Sequence, residues 1–282
     1  MRETGRRLGI SHSTISRYRS GYYKKRVINI IKRYEMFLKY LYKKYDRRCC
    51  SIQVCIVLFK RYHRFERCPS MQQVYNWIQE CKIALDRDDL CYKKRGKSKN
   101  RNPFMAHLKW NIDNKTVLPF SLRPKKMDLR DELGHLEIDS IIGKRNENKA
   151  LISVVDRASR MLWLIKADYT YAHYTSTLIR KFIEENNIIC KSITTDNGKE
   201  FETMGITAKR LGVKLYKCDP YCSFQRGSNE RMNAIVRRFI KKGESLKLKP
   251  QTYLNDISHQ INSMPRKLFN FKSAFEMQMS MF

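Results

Sequence analysis

Acidic residues are scarce in this chain, with 27 Asp and Glu against 58 Lys and Arg over 282 residues and a formal net charge of +31. An excess of that size opposes compaction by self-repulsion and implies a polyanionic partner. No apolar run is long enough to cross a bilayer: the strongest, Ile52 to Phe59, is far too short. The first residues carry no signal-peptide apolar region, so a cytoplasmic location is expected. The charge is spread along the chain instead of gathered on one amphipathic helix, which disfavours a membrane surface and favours nucleic acid. Also missing are a P-loop, a GxGxxG turn and any Ser-His-Asp or Cys-His pattern, and no small-molecule substrate is expected. The 9 cysteines form no CxxC pair, and Cys218-x3-Cys222 lacks a second ligand pair at zinc-site spacing. They read as free thiols in a reducing compartment. What is present is a hydrophobic content of 42%, enough to build a core. The length suits about two domains.

Residues 2–21, RETGRRLGISHSTISRYRSG, read as two short helices around a tight turn at Gly9-Ile10, with Ser11 or Ser13 capping the second. Ile15 then faces inward while Ser13, Thr14, Arg17 and Arg19 lie outward. Small polar residues followed by arginines at the start of a second helix suit base edges and phosphates in a major groove. The motif begins at the first residues, so this helix-turn-helix is expected to be truncated or incomplete. Residues 26–92 show an apolar stripe at three- and four-residue steps, from Val27 and Ile30 through Phe37, Leu38 and Leu41. Ser70 with Gln73 has capping-box spacing ahead of Val74, Trp77 and Ile78, and a possible second DNA-binding unit spans 69–82. The first domain is therefore 1–92. Lys93–Arg101 holds six basic residues in nine and nothing apolar; it opens a basic linker over 93–130.

The pattern then changes to strands alternating with helices, and 131–245 is expected to form an α/β domain. Strands are predicted at His135–Ile142, Ala150–Asp156, Met161–Lys166, Ser192–Thr195 and Val213–Tyr216, and helices at Tyr171–Glu185, Glu200–Leu211 and Gln225–Lys242. Residues 246–282 read as a C-terminal helical tail. In a mixed sheet covered by helices the ligand site forms at strand ends, where Asp139 and Asp196 fall. Glu230 lies on the long helix, with 33 residues between it and Asp196. Oxygen-only ligands select hard ions, Mg²⁺ first and Mn²⁺ as the alternative. Two such ions about 3.5–4 Å apart would drive phosphodiester chemistry. Glu137 points to the same strand face as Asp139 and reads as a bystander. Asp156, Asp168 and Asp219 read as turn residues. Arg237 is two helical turns beyond Glu230 and, with Arg238 and Lys241, reads as a phosphate contact.

These residues resemble transposases of the IS30 type, within the DDE transposase and retroviral-integrase superfamily. Gly134-His-Leu-Glu-Ile-Asp139 is similar to that family's GHWEGD, Asp196-Asn-Gly-Lys-Glu-Phe201 to its DNGxEF, and Asp219-Pro-Tyr221 with Gln225–Glu230 to DPYxxxQRGxNE. Leu136 and Ile138 depart from the family's Trp and Gly, and Ser223-Phe224 from its Pro-Trp. The resemblance implies a ribonuclease-H-like catalytic core, a mixed five-stranded sheet with helices, preceded by an all-α helix-turn-helix region. It implies that Asp139, Asp196 and Glu230 are the catalytic, metal-binding triad, holding two ions. The partners would be terminal inverted repeats and target DNA, engaged by a homo-oligomer in a synaptic complex on the bacterial nucleoid. Cleavage of ends and strand transfer of 3′-hydroxyls is the implied activity; the alternative is a decayed or truncated transposase that only binds DNA.

Overall fold

The computed structural model describes residues 32–80, 82–85, 89–90, 116–144, 147–219 and 222–282. The helix-turn-helix expected over 2–21, with Ser13, Thr14, Arg17 and Arg19, lies outside them. The chain divides into two compact units, 1–96 and 97–282.

In the first unit three helices, α1 (Glu35–Lys44), α2 (Ile52–Tyr62) and α3 (Met71–Gln79), enclose a small apolar core. Ser51 and Ser70 start the second and third by accepting the Val54 and Gln73 amides at 3.4 and 3.1 Å. Such caps satisfy donors that the first helical turn leaves free. Phe37, Leu41, Phe59, Val74 and Trp77 fill the centre, with Phe37 and Phe59 edge to face at 5.3 Å. The described part of the apolar stripe read from the sequence, Phe37, Leu38 and Leu41, is thus a packing face, and Val27 and Ile30 lie outside the described residues.

The second unit is a mixed α/β layer structure. Its strands are β1 (Val117–Pro119), β2 (His135–Ile142), β3 (Ala150–Asp156), β4 (Leu162–Ala167), β5 (Ser192–Thr195) and β6 (Lys214–Lys217). The helices are α4 (Ala172–Glu185), α5 (Met204–Arg210), α6 (Gly227–Val236), α7 (Gln251–Asn262) and α8 (Ala274–Met281). The strand order is β1-β6-β5-β2-β3-β4. Pairings from β1 to β2 are parallel, and β2-β3 and β3-β4 are antiparallel. The sheet therefore has six strands and not five. The additional one, β1, lies in the segment read as linker and forms the edge of the sheet, pairing Val117 with Leu215 of β6.

Both sheet faces are covered, which requires apolar residues on both sides of the inner strands. On one face Leu136, Ile138, Ile152 and Val154 pack against Ile179 and Ile183 of α4 and Met204 and Ala208 of α5. On the other, Ile141, Leu151 and Val155 meet Met232 and Val236 of α6 and Leu254, Ile257 and Ile261 of α7. Alternation along β2 puts Glu137, Asp139 and Ile141 on the α6 face. The predicted Gln225–Lys242 helix is shorter than the sequence suggests. A 3₁₀ turn over Ser223–Arg226 precedes α6, and α6 ends at Val236, followed by tight turns in which the Phe239 and Ile240 amides both bond the Val236 carbonyl. The apolar residues that extend the periodicity, Phe239 and Ile240, pack on the sheet from those turns. The segment read as a tail is also part of the fold, because α7 lies against β4.

Candidate active site

β5 runs parallel to β2 with Leu136 beside Ile193 and Glu137 beside Thr194. Continuing that register brings Asp139 beside Asp196, which follows the last residue of β5. Two carboxylates side by side repel unless a cation lies between them. Here the cation is Arg226, in the turn ahead of α6. Its Nη1 is 2.8 Å from Asp139 Oδ1 and its Nη2 is 2.9 Å from Asp196 Oδ2. Each acid is tethered through its other oxygen to the scaffold. Asn233 Nδ2 donates to Asp139 Oδ2 at 2.8 Å, and the Gly198 amide donates to Asp196 Oδ1 at 3.0 Å.

Asn233 is itself held. Its Oδ1 accepts the Ser153 hydroxyl at 2.9 Å, and Ser153 is the β3 residue paired with Asp139. A small side chain at that position leaves room for the amide. Burial pushes the Asp139 carboxyl up from its ordinary value, with the Arg226 guanidinium pulling the other way. Burial pulls the Arg226 guanidinium down, but the two carboxylates outweigh it and the net shift is upward.

The Asn-Gly turn after β5 is braced from below by Lys217, whose Nζ donates to the Asp196 and Phe201 carbonyls at 3.1 and 2.9 Å. Burial lowers that lysine to about 8. A Cβ at 198 would lie 2.7 Å from Glu200 Oε2 and 3.0 Å from Asp196 Oδ1, so a side chain there would push the Glu200 carboxylate aside. The Glu200 carboxylate is thus turned back toward the aspartates, where it accepts the Ser140 hydroxyl.

Glu230 is exposed in the first turn of α6 and has no hydrogen bond or ion pair among the described residues. Asn233 follows it by three positions on α6, so the two are neighbours on the helix surface, and Arg226 lies in the turn just ahead of the helix. Both Asn233 and Arg226 touch Asp139. The structure therefore brings Asp139 and Asp196 together, while Glu230 stands exposed on α6, three residues before the Asn233 that bonds Asp139. Among the described residues no three carboxylate, imidazole or thiol groups are gathered closely enough to hold one metal ion.

The chain is 32% identical over 214 residues to a transposase for insertion sequence element IS4351 of Bacteroides fragilis, covering 73% of this chain and 63% of that protein. It is 30% identical over 230 residues to a probable transposase for insertion-like sequence element IS1161 of Streptococcus salivarius, covering 80% and 64% respectively. With the transposase InsI for element IS30A of Escherichia coli (strain K12), the identity is 34% over 167 residues, 59% of this chain and 43% of that one. This chain is a relative of the IS30-type insertion-sequence transposases. It spans less than two thirds of the length of these relatives. No family model matches it.

In this IS30-type relative the motif residues other than the acids also have visible duties. Gln225 clamps Asp219, accepting its amide and donating to its carboxylate, each at 2.8 Å. Asp156 is buried and accepts the Gly134, Ala158 and Ser159 amides, the role of a turn residue. Asp168 pairs with Lys149. Arg237 donates to the Ile142 carbonyl at 2.8 Å, so its guanidinium is engaged with the end of β2. Lys241 is exposed, and Arg238 is half-buried. Sequence reasoning missed Arg226 and Asn233. For Asn233 the helical spacing of three from Glu230 was the available signal; Arg226, in the turn ahead of α6, left none.

Proposed function

We propose that this chain is a metal-dependent DNA transposase with a ribonuclease-H-like core, which cleaves transposon ends and transfers their 3′-hydroxyls into target DNA. The observation that carries this reading is the pairing of Asp139 and Asp196 through one guanidinium, beside the helix that bears Glu230. By donor type, though not by a gathered set of three among the described residues, the site suits a hard divalent ion. Every acidic donor at the site is a carboxylate, which suits Mg²⁺ and, as an alternative, Mn²⁺. The close approach at Gly198 leaves the Asp196 and Glu200 oxygens facing one cradle that a Cβ would fill.

Asp139 and Asp196 would hold the ions, and Glu230 would complete the set from α6. When bound, a pair of ions activates an attacking water or 3′-hydroxyl and stabilises the leaving oxygen in an in-line phosphodiester displacement. The chain's own contribution is positional. Asn233 and the Gly198 amide aim the two aspartates, and the Asn229 amide of α6 bonds the buried Glu137, which holds the helix beside β2. The basic excess would draw the DNA, and joining two ends calls for at least two protomers. No helix among the described residues is long and apolar enough to cross a membrane.

The test is to incubate the protein with end-repeat DNA and Mg²⁺. Strand-transfer products are expected from the wild type and should vanish in Asp139→Asn, in Asp196→Asn, in Glu230→Gln and on chelation of the metal. Equal activity in Asp196→Asn rejects the assignment. Cutting without joining would mark a nuclease of the same fold, and sequence-specific binding with no metal-dependent step would mark a DNA-binding protein only.

A further inference from the structure

Arg226 occupies the place where the two aspartates face each other. The oxygens it takes, Asp139 Oδ1 and Asp196 Oδ2, are the two not committed to Asn233 and Gly198. Its side chain is 12% exposed, against 18% for Asp139 and 35% for Asp196, so the guanidinium is enclosed between them. A planar fork that gives one nitrogen to each acid neutralises both at once. Resting on the metal-dependent reading above, the geometry points to Arg226 as a stand-in cation, a positioning residue that holds the aspartates in place before metal binds and is exchanged for it.

Several features make the exchange local. Arg226 ends the 3₁₀ turn and adjoins Gly227, where an added Cβ would meet nothing within 4 Å, so the backbone there borders open space. The scaffold bonds from Asn233 and Gly198 do not depend on Arg226, and they keep the carboxylates aimed when it withdraws. Glu230, in the first turn of α6, then completes the set beside the cation that replaces the guanidinium. Because metal and guanidinium seek the same two oxygens, each weakens the other's hold by the same factor.

The experiment is a Mn²⁺ titration of the full chain, followed through the paramagnetic resonance signal of the free ion. It compares wild type, Arg226→Gln, Arg226→Lys and Asp196→Asn, with melting temperatures measured in EDTA alongside. Arg226→Gln is expected to bind Mn²⁺ about tenfold more tightly than wild type. In EDTA it should melt below wild type, since two acids are left facing each other, and saturating Mn²⁺ should erase that deficit. Arg226→Lys, with a charge but no fork, should fall between the two, and it replaces the Gln variant if that one does not fold. An affinity equal to or weaker than wild type in whichever variant folds overturns the exchange, while loss of binding in Asp196→Asn leaves the metal reading standing. Mn²⁺ uptake identical in wild type and Asp196→Asn removes the aspartates as ligands, and both readings fall together.

Discussion

A carboxylate that is 1% exposed is costly unless both oxygens are paired, and Glu137 meets that condition. Its Oε1 lies 2.9 Å from Arg157 Nε, and its Oε2 accepts the Asn229 amide at 3.1 Å. Arg157 continues to Asp128 at 2.8 Å, and Asp128 to Arg123 at 2.6 Å. The spacing along β2 puts Glu137 on the same face as Asp139, and that is where it lies. Its duty is different from a bystander's: it anchors the first turn of α6, one residue before Glu230. Glu137→Gln keeps the shape but removes the negative charge facing Arg157, and breaking a buried pair costs about 3–5 kcal/mol. We expect that loss in urea denaturation of the variant. Asp196→Asn removes an acid that is a third exposed, and should unfold close to wild type. A Glu137→Gln protein within about 0.5 kcal/mol of wild type, the range of ordinary surface substitutions, would remove the anchoring role.

At the level of elements, the edge strand β4 shows how the last part of the chain is used. An edge strand exposes unpaired amides and carbonyls that invite pairing with another chain. Here α7 satisfies them with two side-chain amides. Gln251 accepts the Lys166 amide at 2.9 Å and donates to the Leu164 carbonyl at 2.6 Å. Asn262 accepts the Leu162 amide at 2.9 Å and donates to the Leu162 carbonyl at 2.8 Å. Asn262→Leu orphans both groups of Leu162, each at about 1–3 kcal/mol. The expected result is a lower melting temperature and concentration-dependent aggregation; an unchanged melt and a monodisperse sample would show that water satisfies the edge instead. None of this was legible in the sequence, because polar residues at the two ends of a helix look like solvent contacts. β1 was hidden for another reason. Three residues ending in Pro119 carry no alternation, and they become a strand only by pairing with β6. The inner strands were legible because burial on both faces demands continuous Ile, Val and Leu, and the acids at their ends stood out against that run. Asp139 and Asp196 could thus be placed from sequence. Arg226 could not, since a guanidinium reaching across two strands leaves no periodic trace.

For the whole molecule the governing quantity is the net charge of +31. Exposed lysines and arginines occur in both compact units, as at Lys39 and Arg61 in the first and Lys126, Lys209 and Lys241 in the second. Several arginines have internal work: the buried Arg123 and Arg157 hold Asp128, and the half-buried Arg266 donates to the Arg160 and Ile261 carbonyls at 3.0 and 3.1 Å. The exposed basic residues are the ones that phosphates could reach. Each phosphate neutralised releases condensed counterions, so the logarithm of affinity falls linearly with the logarithm of salt. A surface engaging roughly six to ten phosphates loses about 10³–10⁵ in affinity between 50 and 200 mM salt. We expect this chain to fall in that range on any duplex, with end-repeat DNA offset to tighter binding at every salt concentration. Titrations by fluorescence anisotropy on end-repeat and scrambled duplexes measure both quantities at once. Parallel lines for the two duplexes mean that the basic surface supplies the grip and that base contacts add a salt-independent increment. A slope near zero would mean that the charge serves something other than nucleic acid, and the paired aspartates would then have no phosphodiester brought to them.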